Sequence, residues 1–394
     1  MKNSADTKLE IGVLYGLRAV MVLMVAAYHI YQQSWLSHRF TLGDWTVNAT
    51  PFVYGGFLFV DGLMLLTGFL LFLPHARERE EGIPAPGTGE FYFRRVRRIL
   101  PCYEGAVLLS FLFAVCRGSY TDWGKAVKDL LLHMTFLQTL TAESYLFSPI
   151  NGALWTVAVE VAFYLVFPLV ARCAKSKPVP TLLLMVTLGW GWRLGISSQE
   201  DTAMLVNQFP GFLDVYALGM LGAMVYCRFR RYPEKNGWKG LAVLVCLGLS
   251  AGAVVLCVRQ SGHATSFEAV RKYQLHMRFP FAALMLGVML SAAAAPRWFR
   301  FLLDNRLTRF FSGISMNFYF WHQWIAVNLK QRFFPDGETL HASPDQQKLY
   351  TLLCYLAAFG AAMAFTYGLE KPAARLLTRL RHSPKTTAGE KPLD

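Results

Sequence analysis

The chain has 394 residues, 54% hydrophobic and 14% aromatic but only 16% charged, against about 25% charged in an ordinary globular domain. Lys and Arg number 39 against 25 acids, a net charge of +14. The apolar content is spread along the whole length in blocks of about 20 residues, which excludes a secreted disulfide scaffold and a disordered chain. It predicts an all-α fold, a polytopic membrane bundle of about ten transmembrane helices, because a run of that length crosses the hydrocarbon core as one helix.

In chain order the apolar runs are 11–32, 52–73, 100–117, 153–171, 179–196, 211–227, 240–258, 278–295, 310–329 and 349–369. The two termini and the second, fourth, sixth and eighth connections hold 26 Lys or Arg; the five alternate connections hold ten, counting Arg117 with them. By the positive-inside rule both termini are cytoplasmic in a bacterial-type plasma membrane. The basicity is thus a matter of topology and carries no nucleic-acid footprint. Residues 125–141 contain a further apolar pattern, but Lys125, Lys128, Asp129, His133 and Gln138 interrupt it. Val127, Leu130, Leu131, Met134 and Leu137 recur at helical spacing, as in a helix lying in the interface.

The first run is full length and has no small-residue cleavage site near it, so it reads as a span and not a leader. The seven cysteines lie in or beside spans with no CxxC or other metal-ligand spacing, which assigns them to packing. Residues 1–375 form one membrane domain, and the polar stretch 376–394 is expected to be a disordered cytoplasmic tail.

Charged groups at membrane depth are expensive, so each needs a reason. Arg18 and His29 in the first run are eleven residues apart, on one helical face and about 16 Å apart along the axis. Two readings fit them. Either both face an interior channel suited to a long anionic substrate, or Arg18 reaches the cytoplasmic surface and His29 closes the helix end. Asp61 is a buried acid that would neutralise Arg18 or another cation. Glu160 lies about two turns into the fourth run with Tyr164 at i+4, at a depth comparable to His29; a carboxylate–imidazole pair is expected, with an arginine as the alternative partner. Arg94, Arg95, Arg97 and Arg98 precede the third run as an inside anchor or a phosphate site. His322 falls near mid-membrane in the ninth run, as a core histidine or a functional one.

These residues carry a resemblance. GLRAVMVLMVAAYH resembles the first-helix Arg-x10-His signature of the acyltransferase 3 family, through Arg18 and His29. VDGLMLLTGFLL resembles that family's VDLFFVLSGFLL through Asp61, Gly68 and Phe69. RRVRRILPCY resembles RRxxRIxPxY through Arg94, Arg95, Arg98, Ile99, Pro101 and Tyr103, and LWTVAVEVAFYLVFP resembles LWTLxVExxFYLxxP through Trp155, Glu160, Tyr164 and Pro168. SGISMNFYFWH is similar to a late SxxxYxxH element through Ser315, Tyr319 and His322, and LEKP, with Glu370 and Pro372, closes the last run. The motifs run in family order from about residue 11 to 375. The chain departs at Tyr15, where the family often has Asp, and at Thr67, where it often has Ser, which leaves the acceptor open.

The resemblance implies transfer of an acyl group, commonly acetyl, from cytoplasmic acyl-CoA to an extracytoplasmic hydroxyl, as on a cell-surface carbohydrate or lipid-linked glycan. Acyl-CoA enters as donor substrate, with no permanently bound cofactor. His29 and Glu160 are then the expected catalytic residues. Arg18, Asp61, Arg94, Arg95, Arg98, Trp155, Tyr164 and His322 are expected to bind substrate. Some members carry an appended hydrolase-like domain; any such step here is expected to need a separate extracytoplasmic partner. Two other classes compete. A secondary transporter predicts pseudo-symmetric halves with broken helices, which the sequence does not display. An inactive sensor or scaffold predicts loss of Arg18 or His29, and both are present.

Overall fold

The computed structural model describes residues 11–230, 236–334 and 342–382. The chain begins with α1 (Val13–Ser34), then a hairpin of β1 (Arg39–Leu42) and β2 (Trp45–Asn48). Short α2 (Thr50–Tyr54) leads through a tight turn of 3₁₀ helix into α3 (Phe59–Glu81), followed by α4 (Thr88–Cys116). Two short helices, α5 (Trp123–Met134) and α6 (Ala142–Tyr145), precede α7 (Trp155–Ser176), α8 (Pro178–Ser197) and α9 (Leu213–Phe229). Then come α10 (Asn236–Gly262), α11 (Phe267–Ala294), short α12 (Arg297–Leu303) and α13 (Arg306–Phe333). The chain continues through α14 (Pro344–Phe365), a π-helical turn (Thr366–Glu370) and α15 (Lys371–His382).

Among the described residues nine helices are long and apolar enough to cross a membrane, and the protein is a multi-pass membrane bundle. The tenth expected span, 310–329, lies within α13, which is 28 residues long but carries Ser312, Ser315, Asn317, His322, Gln323 and Asn328. Its polarity follows from its place. It packs between α1 and α14, and Ser315, Asn317 and His322 are completely buried by protein. A span enclosed by other helices meets their polar groups and need not be apolar.

Residues 125–141 do not cross. α5 has 12 residues, too few for a span, and Asp122 caps its start by accepting from the Gly124 and Lys125 amides. Val127 and Leu131 face outward, while Asp129 and His133 are buried against the bundle. Tyr120 and Ser148 both donate to Asp129 Oδ2 at 2.6 Å. Burial raises the Asp129 carboxyl, but hydrogen bonds from His133, Ser148 and Tyr120 outweigh it and hold the group below its ordinary value.

Glycine permits the close crossing of α3 on α9. A Cβ on Gly68 would stand 2.6 Å from the Tyr216 carbonyl oxygen, and one on Gly219 would stand 2.2 Å from that of Leu65. Backbones can approach this closely only where no side chain intervenes. α15 carries helix through residues 376–382, past position 375. Residues 383–394 lie outside the described residues.

Candidate active site

Six segments enclose a cavity of about 520 Å3. α1 contributes Arg18 and Val22, α3 the stretch from Val60 to Leu71, α4 Arg94, Arg95, Arg97, Arg98 and Ile99, and α7 Thr156, Val157, Glu160 and Tyr164. α13 adds Ser315, Met316, Tyr319 and Phe320, and the end of the chain adds Glu370 and Ala374. The arginines lie toward the start of α4, whereas Val60 lies level with the middle of α1, where its neighbours Gly56 and Gly62 pack against Met24 and Met21. The cavity therefore extends inward from a cationic mouth to about the middle of the bundle.

Arg18 is half-buried on the cavity wall, held by Nε donating to Ser315 Oγ at 2.9 Å. Ser315 in turn donates to the Ser312 carbonyl at 2.8 Å, so the guanidinium is oriented by a helix that was itself fixed by packing. Arg95 stacks against both Phe91 and Tyr164, its guanidinium carbon 5.8 and 5.9 Å from their ring centroids. Arg94 is more exposed and is bonded to Glu90 at 2.6 Å.

Glu160 also lines the cavity, but the expected pair with His29 is not what forms. Thr67 Oγ1 donates to Glu160 Oε1 at 3.0 Å and Tyr164 OH to Oε2 at 2.7 Å. Tyr164 is the i+4 neighbour on the same helix, and the packing of α1 on α13 turns His29 to another partner. His29 instead pairs with His322: Nδ1 of His29 and Nε2 of His322 are 2.9 Å apart.

Chemistry fixes the tautomers of that pair. His322 Nδ1 is 2.6 Å from the Tyr319 carbonyl, which can only accept, so in the neutral ring Nδ1 carries the proton and Nε2 is bare. His29 Nδ1 must then donate to His322 Nε2, which leaves the lone pair on His29 Nε2 free to accept a proton. His322 is completely buried and His29 is half-buried. Neither ring lines the cavity itself. Val22, the outermost α1 residue on its wall, is seven residues below His29, about 10 Å of helix rise. Tyr319 bridges the two zones, with its side chain on the cavity wall and its carbonyl on His322.

Two other expected site residues lie elsewhere. Asp61 points away from the cavity and into a buried ion pair, its Oδ1 accepting from Arg278 Nε at 2.9 Å; the cation it neutralises is Arg278, not Arg18. Trp155 is half-buried against Phe212, off the cavity wall. Conversely, Glu370 is on the wall, although the sequence marked it only as part of a closing motif. The π-turn Thr366–Glu370 turns its carboxylate to accept from Asn317 Nδ2 at 2.8 Å, and Asn317 Nδ2 also donates to Thr366 Oγ1. A carboxylate at the end of an apolar run was the available signal.

Residues 12–371 match the family model described as an acyltransferase domain. The chain belongs to the acyltransferase 3 family. Acyltransferase MdmB from Streptomyces mycarofaciens is 29% identical over 204 residues, 50% of this chain and 47% of that protein. A Staphylococcus aureus (strain COL) protein bearing an O-acetyltransferase name is 28% identical over 361 residues, 82% of this chain and 52% of its own. Peptidoglycan O-acetyltransferase OatA of Listeria monocytogenes is 27% identical over 187 residues, 45% of this chain and 26% of that one. The chain thus spans about half the length, or less, of the curated relatives it matches. No solved structure matches it.

Proposed function

We propose that this acyltransferase 3 member is an O-acyltransferase that moves an acyl group, acetyl by preference, from cytoplasmic acyl-CoA to a hydroxyl of an extracytoplasmic acceptor, a cell-surface carbohydrate. The observation that carries this reading is the His29–His322 pair standing beyond a cavity whose mouth is cationic. The charge asymmetry of the connections supports an orientation with the arginine mouth on the cytoplasmic side and His29 in the outer half. Acyl-CoA is anionic at its nucleotide end and thin along its pantetheine arm. Arg94, Arg95, Arg97, Arg98 and Arg18 match the first property, and the depth of the cavity matches the second.

In this reading His29 Nε2 takes the proton from the acceptor hydroxyl as the oxygen attacks the thioester carbonyl. The C–S bond then breaks, the acyl group stays on the acceptor oxygen, and the proton passes to the departing CoA thiolate. While His29 is an imidazolium, its Nδ1–H keeps donating to the bare Nε2 of His322, which holds the ring and spreads the charge without a carboxylate. Glu160, tied to Thr67 and Tyr164, shapes the wall and offsets the positive charge of Arg18 and Arg95 across the cavity. Because the thioester reaches only part of the way, the last stretch past Tyr319 and Phe320 is where arm and acceptor meet.

The reading is tested by free CoA release. Purified protein in lipid discs, supplied with acetyl-CoA and fractions of bacterial envelope carbohydrate, is expected to release CoA in step with acetylation of at least one fraction. Absence of release with acetyl-CoA and with longer acyl-CoA donors across all fractions contradicts it.

A further inference from the structure

Beside the cavity mouth lies an open groove of about 550 Å3 between α4 and α15, lined by Arg97, Lys371, Ala374, Arg375, Thr378 and Arg379. Arg97 and Ala374 line the cavity as well, so the two depressions form one continuous surface. Four of the six lining residues are cations and none is an acid. The neighbouring acids are engaged elsewhere, Glu90 with Arg94 and Arg381 and Glu370 with Asn317.

The groove is held in shape. Arg97 Nη1 donates to Thr378 Oγ1 at 2.8 Å, which ties α15 to α4 across its floor. Lys371, Arg375 and Arg379 recur every fourth residue and form one stripe along about 12 Å of helix. On the flank of the same helix Leu376 and Leu380 are exposed. An amphipathic helix of this kind rests its apolar edge in the lipid surface and keeps its cations at the water boundary. A single carboxylate or phosphate needs one such cation. A stripe of three continued by Arg97 matches a ligand with several phosphates set apart from one another.

We propose that this groove is the subsite for the nucleotide end of the donor, a 3′-phosphorylated adenosine diphosphate. The diphosphate lies at the Arg97 edge shared with the cavity, the phosphomonoester lies along Lys371 and Arg375, and the pantetheine arm enters past Arg98. The inference rests on the acyl-CoA reading above and adds to it a wall supplied by α15. It also divides the α4 cluster, with Arg97 on the diphosphate and Arg94, Arg95 and Arg98 keeping the positive field at the mouth that draws the anionic donor in. Anionic phospholipid headgroups share the phosphate chemistry, so the test must separate the two sources.

Equilibrium binding of CoA and of 4′-phosphopantetheine, which lacks the nucleotide, is measured on wild type and on Lys371→Gln/Arg375→Gln in discs of phosphatidylcholine alone. The double variant, which removes two charge-assisted contacts, is expected to bind CoA at least about tenfold more weakly, and 4′-phosphopantetheine within about twofold of wild type. An equal loss for both ligands overturns the proposal. So does unchanged CoA binding accompanied by selective loss of co-purifying phosphatidylglycerol, which assigns the groove to a lipid headgroup. If wild type binds neither ligand, the donor reading fails and this inference fails with it. If wild type binds both and the variant matches it, the groove inference fails alone.

Discussion

His29→Gln is expected to lower the turnover of acyl transfer by about a thousandfold while leaving acyl-CoA binding within about twofold, as removal of a general base that does not touch the bound donor should. The asymmetry follows from position. In the proposed function the cationic mouth and Arg18 grip the donor, whereas His29 stands about 10 Å of helix beyond the last α1 residue on the cavity wall. His322→Ala is expected to cost less, about 10–100-fold, because it removes one hydrogen bond to a charged ring and leaves the base in place. His322→Asn restores an acceptor at that point and should recover part of the loss. The measurement is single-turnover acetyl transfer at saturating donor, read beside CoA binding on the same preparation. Turnover retained in His29→Gln would remove His29 from the chemistry. Equal losses for His29→Gln and His322→Ala would mean that the pair, and not His29 Nε2 alone, holds the proton.

Asp61→Ala is expected to destabilise the folded protein by about 3–5 kcal/mol, because it leaves Arg278 charged and buried without its counter-ion. Arg278 is completely buried, and its guanidinium carbon lies 3.8 Å from the Phe212 ring centroid. Its Nη1 donates to the Val206 carbonyl at 2.9 Å and its Nη2 to Asn207 Oδ1 at 3.1 Å, so the pair also anchors the connection between α8 and α9. Next to it Arg193 and Asp214 form a second buried ion pair, and Arg193 bonds the Gly211 carbonyl at 2.9 Å. Thermal unfolding in detergent measures the effect. Removing both charges with Asp61→Asn/Arg278→Gln should be milder than Asp61→Ala alone, since no bare charge remains. Unfolding of Asp61→Ala at the wild-type temperature would show that Arg278 finds compensation elsewhere.

What the sequence made legible was what depends on one helix at a time. Run length and loop charge marked the spans, and the period of Val127, Leu130 and Leu131 distinguished an interfacial helix from a crossing one. The 11-residue separation put Arg18 and His29 on one face of α1, and i+4 spacing linked Glu160 to Tyr164. What depended on which helices are neighbours was not legible. Depth alone allowed His29 to meet Glu160, and only the packing of α13 against α1 brings His322 to it. The same holds for Asp61, whose partner lies 217 residues away on α11. One local feature had a signal that went unread. Phe40, Leu42, Trp45 and Val47 alternate around Gly43 and Asp44, and the structure forms the matching antiparallel hairpin with Gly43 at a φ of 59° in its two-residue turn. The π-turn that brings Glu370 to the cavity has no such pattern; its mark in the sequence was the acid at the end of an apolar run.

The central claim is that donor and acceptor meet from opposite sides of the membrane. It is tested most directly with protein reconstituted in one orientation in sealed vesicles, with labelled acetyl-CoA confined to one side and envelope carbohydrate to the other. The account predicts acetylated carbohydrate when acetyl-CoA is on the side of Arg94–Arg98, none when the two compartments are exchanged, and none from His29→Gln in either arrangement. Equal transfer with acetyl-CoA on either side, or transfer only when donor and acceptor share a compartment, would contradict it.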